Sequence, residues 1–149
     1  IVQAMFRSSR YEEDERALRK RAGELLDVLG LASLAHETAG SLPYGSQRRL
    51  EIARALMLSP RLLLLDEPAA GMNSQEARTL NDQIRFLRDQ LALTVIVVEH
   101  NMAVVMNVCE TIHVVDHGET IAEGSPAEVR VHPKVLAAYL GEEPKEAAG

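Results

Sequence analysis

A chain of 149 residues, 46% of them hydrophobic, is long enough and apolar enough to bury a core. Its net charge of −6, with acids and bases interspersed, excludes the basic stripe of a nucleic-acid binder, so no nucleic-acid partner is expected. A single cysteine excludes a disulfide framework, and no apolar run approaches the roughly 20 residues that span a bilayer, which together predict a cytosolic protein that meets a membrane only through a partner.

The chain opens on Ile1 in what reads as running sequence, without a leader, and a preceding segment is expected. The first element is an amphipathic helix over about Asp14 to Leu29: Leu18, Ala22, Leu25, Leu26 and Leu29 recur at helical spacing, and Gly30 stands where the helix stops. The polar stretch ASLAHETAGSLPYG leads to a second helix, starting near Ser46 in SQRRLEIARALML and ended by Pro60. RLLLLD is short, apolar on both faces and followed by Pro68, which predicts a buried strand of a parallel sheet. A third helix, from about Ser74 to Leu91, carries Ala77, Leu80, Ile84, Leu87 and Leu91 on one face, and Asn73 with Glu76 has the form of a capping box. TVIVVEH repeats the strand pattern, and strand, helix, strand implies a right-handed parallel crossover. After a helix over about Met102 to Cys109, TIHVVDHGETIAEG reads as two strands around a DHGE turn. Two short helices with Pro126 and Pro133 in their first turns follow, and the polar tail GEEPKEAAG is expected to fray.

An apolar strand that ends in two adjacent carboxylates needs a reason, because burying either charge without a partner is costly. In an open parallel sheet, ligands sit beyond the carboxyl ends of the strands, so Asp66, Glu67 and His100 are expected to share one rim. There Asp66 is a natural holder of Mg²⁺ beside a phosphate-bearing ligand, Glu67 can orient or deprotonate a water, and His100 can donate to a phosphoryl group. The pattern predicts a nucleotide hydrolase. Each feature alone has a plainer reading: a solvated strand end for the acid pair, a cap for His100, a solvated helix face for QRRLEIAR, and an inert thiol for Cys109. Their ordered co-occurrence favours the common site: LPYGSQRRLEIARAL, then LLLLDEP, then EH about 30 residues on.

This ordered set resembles the C-terminal portion of an ABC-type ATPase. LPYGSQRRLEIARAL, LLLLDEPAAGMN and the closing HPKVLAAYLG together resemble the ATP-binding subunits of branched-chain amino-acid importers, over about residues 12 to 143. The resemblance implies an α/β fold: a partial P-loop NTPase core with a parallel sheet, joined to an α-helical subdomain. Residues 1–58 would be the helical subdomain with the signature motif and its helix, 59–125 the second half of the nucleotide-binding core, and 126–149 the C-terminal helices and tail. It implies residue roles as well. Leu42, Pro43, Tyr44, Gly45 and Ser46, with Gln47, would form the signature motif that binds ATP; Asp66 the Walker B aspartate that holds Mg²⁺; Glu67 the catalytic glutamate; Gly71, Met72 and Asn73 the D-loop; and His100 the switch histidine. Gly45 would let a phosphate approach the backbone, and the helix beginning beside it would offer free N–H groups and a positive dipole end. In this family the clamp closes on ATP held by the opposite subunit. The implied partners are therefore a second ATP-binding subunit and transmembrane permease subunits, at the inner face of the cell membrane.

The sequence departs from the family pattern in specific places. The usual signature begins Leu-Ser-Gly-Gly-Gln, whereas Pro43 replaces the serine, Tyr44 the first glycine and Ser46 the glutamine; Asn73 stands where many relatives have aspartate. No G-x-x-x-x-G-K-[ST] occurs in these 149 residues, so the chain alone is expected to be inactive. The resemblance also implies a further strand between the one ending at His100 and the one at about Thr111 to Val115, whose absence opens two strand edges and favours self-association. Two other classes share parts of the pattern: a regulatory module that keeps the dimer surface without hydrolysing ATP, and a chromosome-maintenance or repair ATPase. The second predicts long heptad arms, which this sequence does not contain.

Overall fold

Charge pairs begin the first helix before its apolar face does. In the computed structural model, which describes residues 9–140, α1 runs over Ser9–Val28 rather than from Asp14. Arg16 Nε donates to the Glu12 carbonyl at 3.1 Å and Arg19 Nη2 to Glu15 Oε1 at 2.7 Å, contacts one turn apart that support the helix through a stretch with no apolar period. Leu25 and Leu29 are buried as the spacing predicts, whereas Leu18 is exposed. Gly30 ends the helix with a left-handed backbone, φ 67°, and the Leu31 amide closes on the Leu26 carbonyl at 2.7 Å.

Helix α2, Tyr44–Leu56, begins two residues before Ser46 because Pro43 enters the N-cap position already extended. It buries Ile52, Ala53 and Leu56, and Arg21 of α1 donates to the Leu56 carbonyl at 3.1 Å, tying the two helices at the end of α2. Strand β1, Leu62–Asp66, corrects the expectation of burial on both faces. Leu63 and Leu65 are buried, but Leu62 and Leu64 are exposed. Successive strand side chains point to opposite faces, and here only one of them is packed.

Helix α3, Ser74–Leu91, has the bounds the sequence predicts. The capping box is present in full: Asn73 Oδ1 accepts from the amides of Gln75 and Glu76, and Glu76 Oε2 accepts from the Asn73 amide at 2.9 Å. Ala77, Leu80, Ile84 and Leu87 are buried, while Leu91 at the end of the stripe is half-exposed. Gln83 Nε2 donates to the Val28 carbonyl at 3.1 Å, tying α3 to the end of α1. Strand β2, Thr94–Val98, lies beside β1 in a parallel pair that the α3 crossover connects. One compact unit ends at Ile96, inside β2, and a second begins at Val97.

In the second unit, Asn101 caps α4, Met102–Val108, by accepting from the Ala103 amide. The predicted hairpin is β3, Ile112–Asp116, paired antiparallel with β4, Glu119–Gly124, with an irregularity at Val114/Val115. Its turn residues His117 and Gly118 both take positive φ, as a two-residue hairpin turn demands. The two sheets have two strands each, and β2 and β3 are in different ones. Helices α5, Pro126–Arg130, and α6, Pro133–Leu140, follow. Ser125 donates to Glu128 through its hydroxyl and its amide, which holds that carboxyl below the usual range. Ile112, Ala122, Val129 and Val135 form the core of this unit, with Cys109 packed at its edge. Burial pushes the Cys109 thiol up, consistent with an inert cysteine. The tail expected to fray lies outside the described residues.

Candidate functional site

β1 ends at Asp66 and the chain turns at once. Glu67 takes a left-handed backbone with φ 43°, uncommon for a residue with a side chain. The Ala70 amide closes on the Glu67 carbonyl at 3.0 Å and the Met72 amide on the Ala69 carbonyl at 3.1 Å; Gly71 is again left-handed at φ 70°. Two tight turns thus carry the chain from β1 to the N-cap of α3. Pro68 and Ala69 are buried under this turn, while Asp66 and Glu67 are exposed. The apolar strand delivers its carboxylates to solvent, so neither bears the cost of full burial.

The turn folds onto the start of α2. A Cβ on Gly71 would lie 3.1 Å from both Cδ1 and Cε1 of Tyr44. A Cβ on Gly45 would lie 3.7 Å from the Met72 side chain and 3.6 Å from Glu76 Oε1, so the room left by its missing side chain is used by this turn and by α3. Of the residues expected to bind phosphate, Leu42 and Ser46 are buried. Ser46 Oγ accepts from Arg49 Nη2 at 3.1 Å, and Gln47 Nε2 donates to the Leu42 carbonyl at 2.8 Å, so both side chains shape the loop from within. The amides of Ser46 and Gln47 also turn inward, onto the Pro43 carbonyl. The amides of Tyr44 and Gly45 lead the helix, and Pro43 caps them with no side-chain hydrogen bond. This is the positive end of a 13-residue helix.

Asp66 shares a hollow of about 240 Å³ with Arg48, Glu51, Leu64 and Pro68. Arg48 donates from Nη1 to Glu51 at 2.8 Å and from Nε to the Tyr44 hydroxyl at 3.0 Å, and its guanidinium carbon lies 5.1 Å from the centre of the Tyr44 ring. Hydrogen bonds to Glu51 first and Tyr44 second push the guanidinium pKa up from its ordinary value. Sequence reasoning singled out neither Arg48 nor the contact of Glu76 with Gly45. The available signal was the spacing of Tyr44, Arg48 and Glu51, which places them on one helix face.

Among the described residues, no group of three or more His, Cys, Asp or Glu gathers to hold a metal. Asp66 offers a single exposed carboxylate. That donor set fits Mg²⁺, which takes one or two carboxylates and completes its shell with phosphate oxygens and water. His100 is exposed in the second unit, between β2 and the Asn101 cap of α4. The first unit therefore brings together the 42–47 loop, the acid pair and the 71–73 turn, and the second carries His100.

A family model described as ABC transporter matches residues 2–70, and one described as branched-chain amino acid ATP-binding cassette transporter matches residues 119–145. The high-affinity branched-chain amino acid transport ATP-binding protein BraF of Pseudomonas aeruginosa is 42% identical over 142 residues, which is 95% of this chain and 56% of BraF. The chain is thus similar over most of its length to the ATP-binding proteins of ABC transporters. LivG of Salmonella typhimurium, a protein of the same description, is 45% identical over 122 residues, 82% of this chain and 48% of LivG. The crystal structure of the ADP conformation of MJ1267, an ATP-binding cassette of an ABC transporter, superposes with a TM-score of 0.75 at 32% identity, over 85% of this chain and 51% of MJ1267. The chain thus spans about half the length of the relatives it matches. Its mixed α/β fold is that of an ABC ATPase cassette, as the resemblance implied.

Proposed function

We propose that the chain is the signature and Walker B portion of an ATP-binding subunit that powers import of branched-chain amino acids or similar solutes. The observation that supports this most is the packing of the 42–47 loop directly on the turn that follows the acid pair, within one compact unit. The solute class comes from BraF and LivG, which are described as branched-chain amino acid transport ATP-binding proteins.

In this reading the leading amides of α2 and its positive helix end bind phosphate of an ATP held by a second subunit. Asp66 holds Mg²⁺, which when bound neutralises charge on the phosphates. Glu67 aligns the attacking water and accepts its proton. Gly71, Met72 and Asn73 face the second subunit, and His100 donates a hydrogen bond to a phosphoryl oxygen. ATP binding closes the pair of subunits, hydrolysis opens it, and permease subunits in the membrane receive the motion at its inner face. No helix among the described residues is long and apolar enough to cross a membrane.

The division of labour has a direct test. The 149 residues contain no phosphate loop of the G-x-x-x-x-G-K-[ST] form, and Asp66 alone holds Mg²⁺ weakly without phosphates to share it. Calorimetry on this chain by itself is expected to give no ATP binding at micromolar concentration and no hydrolysis. Micromolar affinity would overturn the assignment of phosphate binding to a segment beyond these residues.

A further inference from the structure

Position 44 is the place where the signature departs most in size, a tyrosine for a glycine, and Gly71 of the 71–73 turn sits against its ring. We propose that Tyr44 is a positioning residue: its ring locks the 71–73 turn onto the start of α2, so that the phosphate-facing amides and the turn behind the acid pair move as one body. The functional consequence rests on the ATP-site reading above; the lock itself does not.

Three consecutive residues of the turn are each tied, and each to a different group. The bare Cα of Gly71 sits against the Tyr44 ring, at a separation where any Cβ would be 3.1 Å from two ring carbons. Its φ of 70° disfavours a side chain on conformational grounds as well. The Met72 side chain sits in contact range of the Cβ that Gly45 lacks. The Asn73 amide is held by Glu76 Oε2 at 2.9 Å. The ring is fixed in turn from the helix: Arg48 lies over it, donates to its hydroxyl and is itself anchored on Glu51. A glycine at position 44 would remove the first tie and leave the contact of Met72 at Gly45. Any displacement of the Glu67 backbone would then be absorbed by the turn. With Tyr44 in place, it is passed to the amides of Tyr44 and Gly45.

The test uses the 149-residue chain without nucleotide, so its failure leaves the ATP reading standing, and failure of ATP hydrolysis leaves the lock standing. By NMR, an α-proton of Gly71 is expected to be shifted upfield by the Tyr44 ring current. Tyr44→Gly should abolish that shift and speed amide exchange in residues 70–73 and 44–47 together by on the order of tenfold, with residues 80–87 of α3 unchanged. Tyr44→Phe keeps the ring without the Arg48 hydrogen bond and should restore both the shift and most of the protection. Unchanged exchange at 70–73 in Tyr44→Gly, or faster exchange confined to 44–47, would overturn the proposal. So would an unshifted Gly71 in the unmutated chain, a result that decides the matter even where the glycine variant fails to fold.

Discussion

Glu67→Gln in a full-length ATP-binding subunit carrying this chain is expected to slow ATP hydrolysis by about 10² to 10⁴-fold, the usual weight of a general base, and to leave ATP affinity unchanged. The substitution keeps the size of the side chain and its capacity to hydrogen-bond a water, and removes only its capacity to take a proton. It also keeps the constraint on the left-handed backbone at φ 43°, because glutamine and glutamate share that cost equally. Asp66 is untouched, so the proposed Mg²⁺ ligand remains. Phosphate release under single turnover, with nucleotide binding measured in parallel, separates the two effects. Hydrolysis at the unmutated rate would remove Glu67 from the reaction.

The second large effect lies in the core. Leu80→Ala is expected to cost about 2–5 kcal/mol, the range for truncating a fully buried leucine. Leu80 is 0% exposed, in the middle of the buried face of α3 with Ala77, Ile84 and Leu87 around it in the stripe. That loss is a large share of the stability of a small domain. Leu64→Ala serves as the contrast: Leu64 is 66% exposed on the outer face of β1 and should change stability by no more than about 0.5 kcal/mol. Denaturant unfolding of both variants measures the difference. Equal losses would mean that the outer face of β1 is covered in solution, for example by a second copy of the chain.

The contrast between those two leucines marks where the sequence could be read and where it could not. Four consecutive leucines show no alternation, so nothing in LLLL says which face is packed; only the placement of the surrounding elements decides that. Helix α3 was legible to the residue because two independent signals agree at its start, the Asn73–Glu76 capping box and the first turn of an apolar stripe. Helix α1 was legible in its second half, where Leu25 and Leu29 keep the period and Gly30 stops it. Its first turns in YEEDER carry only charge, and their support from Glu12, Arg16, Glu15 and Arg19 is a matter of side-chain pairing. At the candidate site, the place of Asp66 and Glu67 at the end of β1 was legible because the apolar run stops there. The left-handed turn that presents them was not, since φ at Glu67 runs against its residue type. The same holds for Tyr44. Its sequence position marks it as a departure from the family pattern, but its role against Gly71 depends on a turn 27 positions later folding back, which no local period encodes.

Pairing of two subunits across ATP is the most direct test of the function proposed for the start of α2, because an anion site that closes on a neighbour's nucleotide has no purpose in a monomer. Sedimentation velocity of the full-length subunit carrying Glu67→Gln, in which bound ATP persists, is the measurement. A dimer with Mg²⁺ and ATP that reverts to monomer with ADP is the predicted result. A monomer at saturating ATP would contradict it.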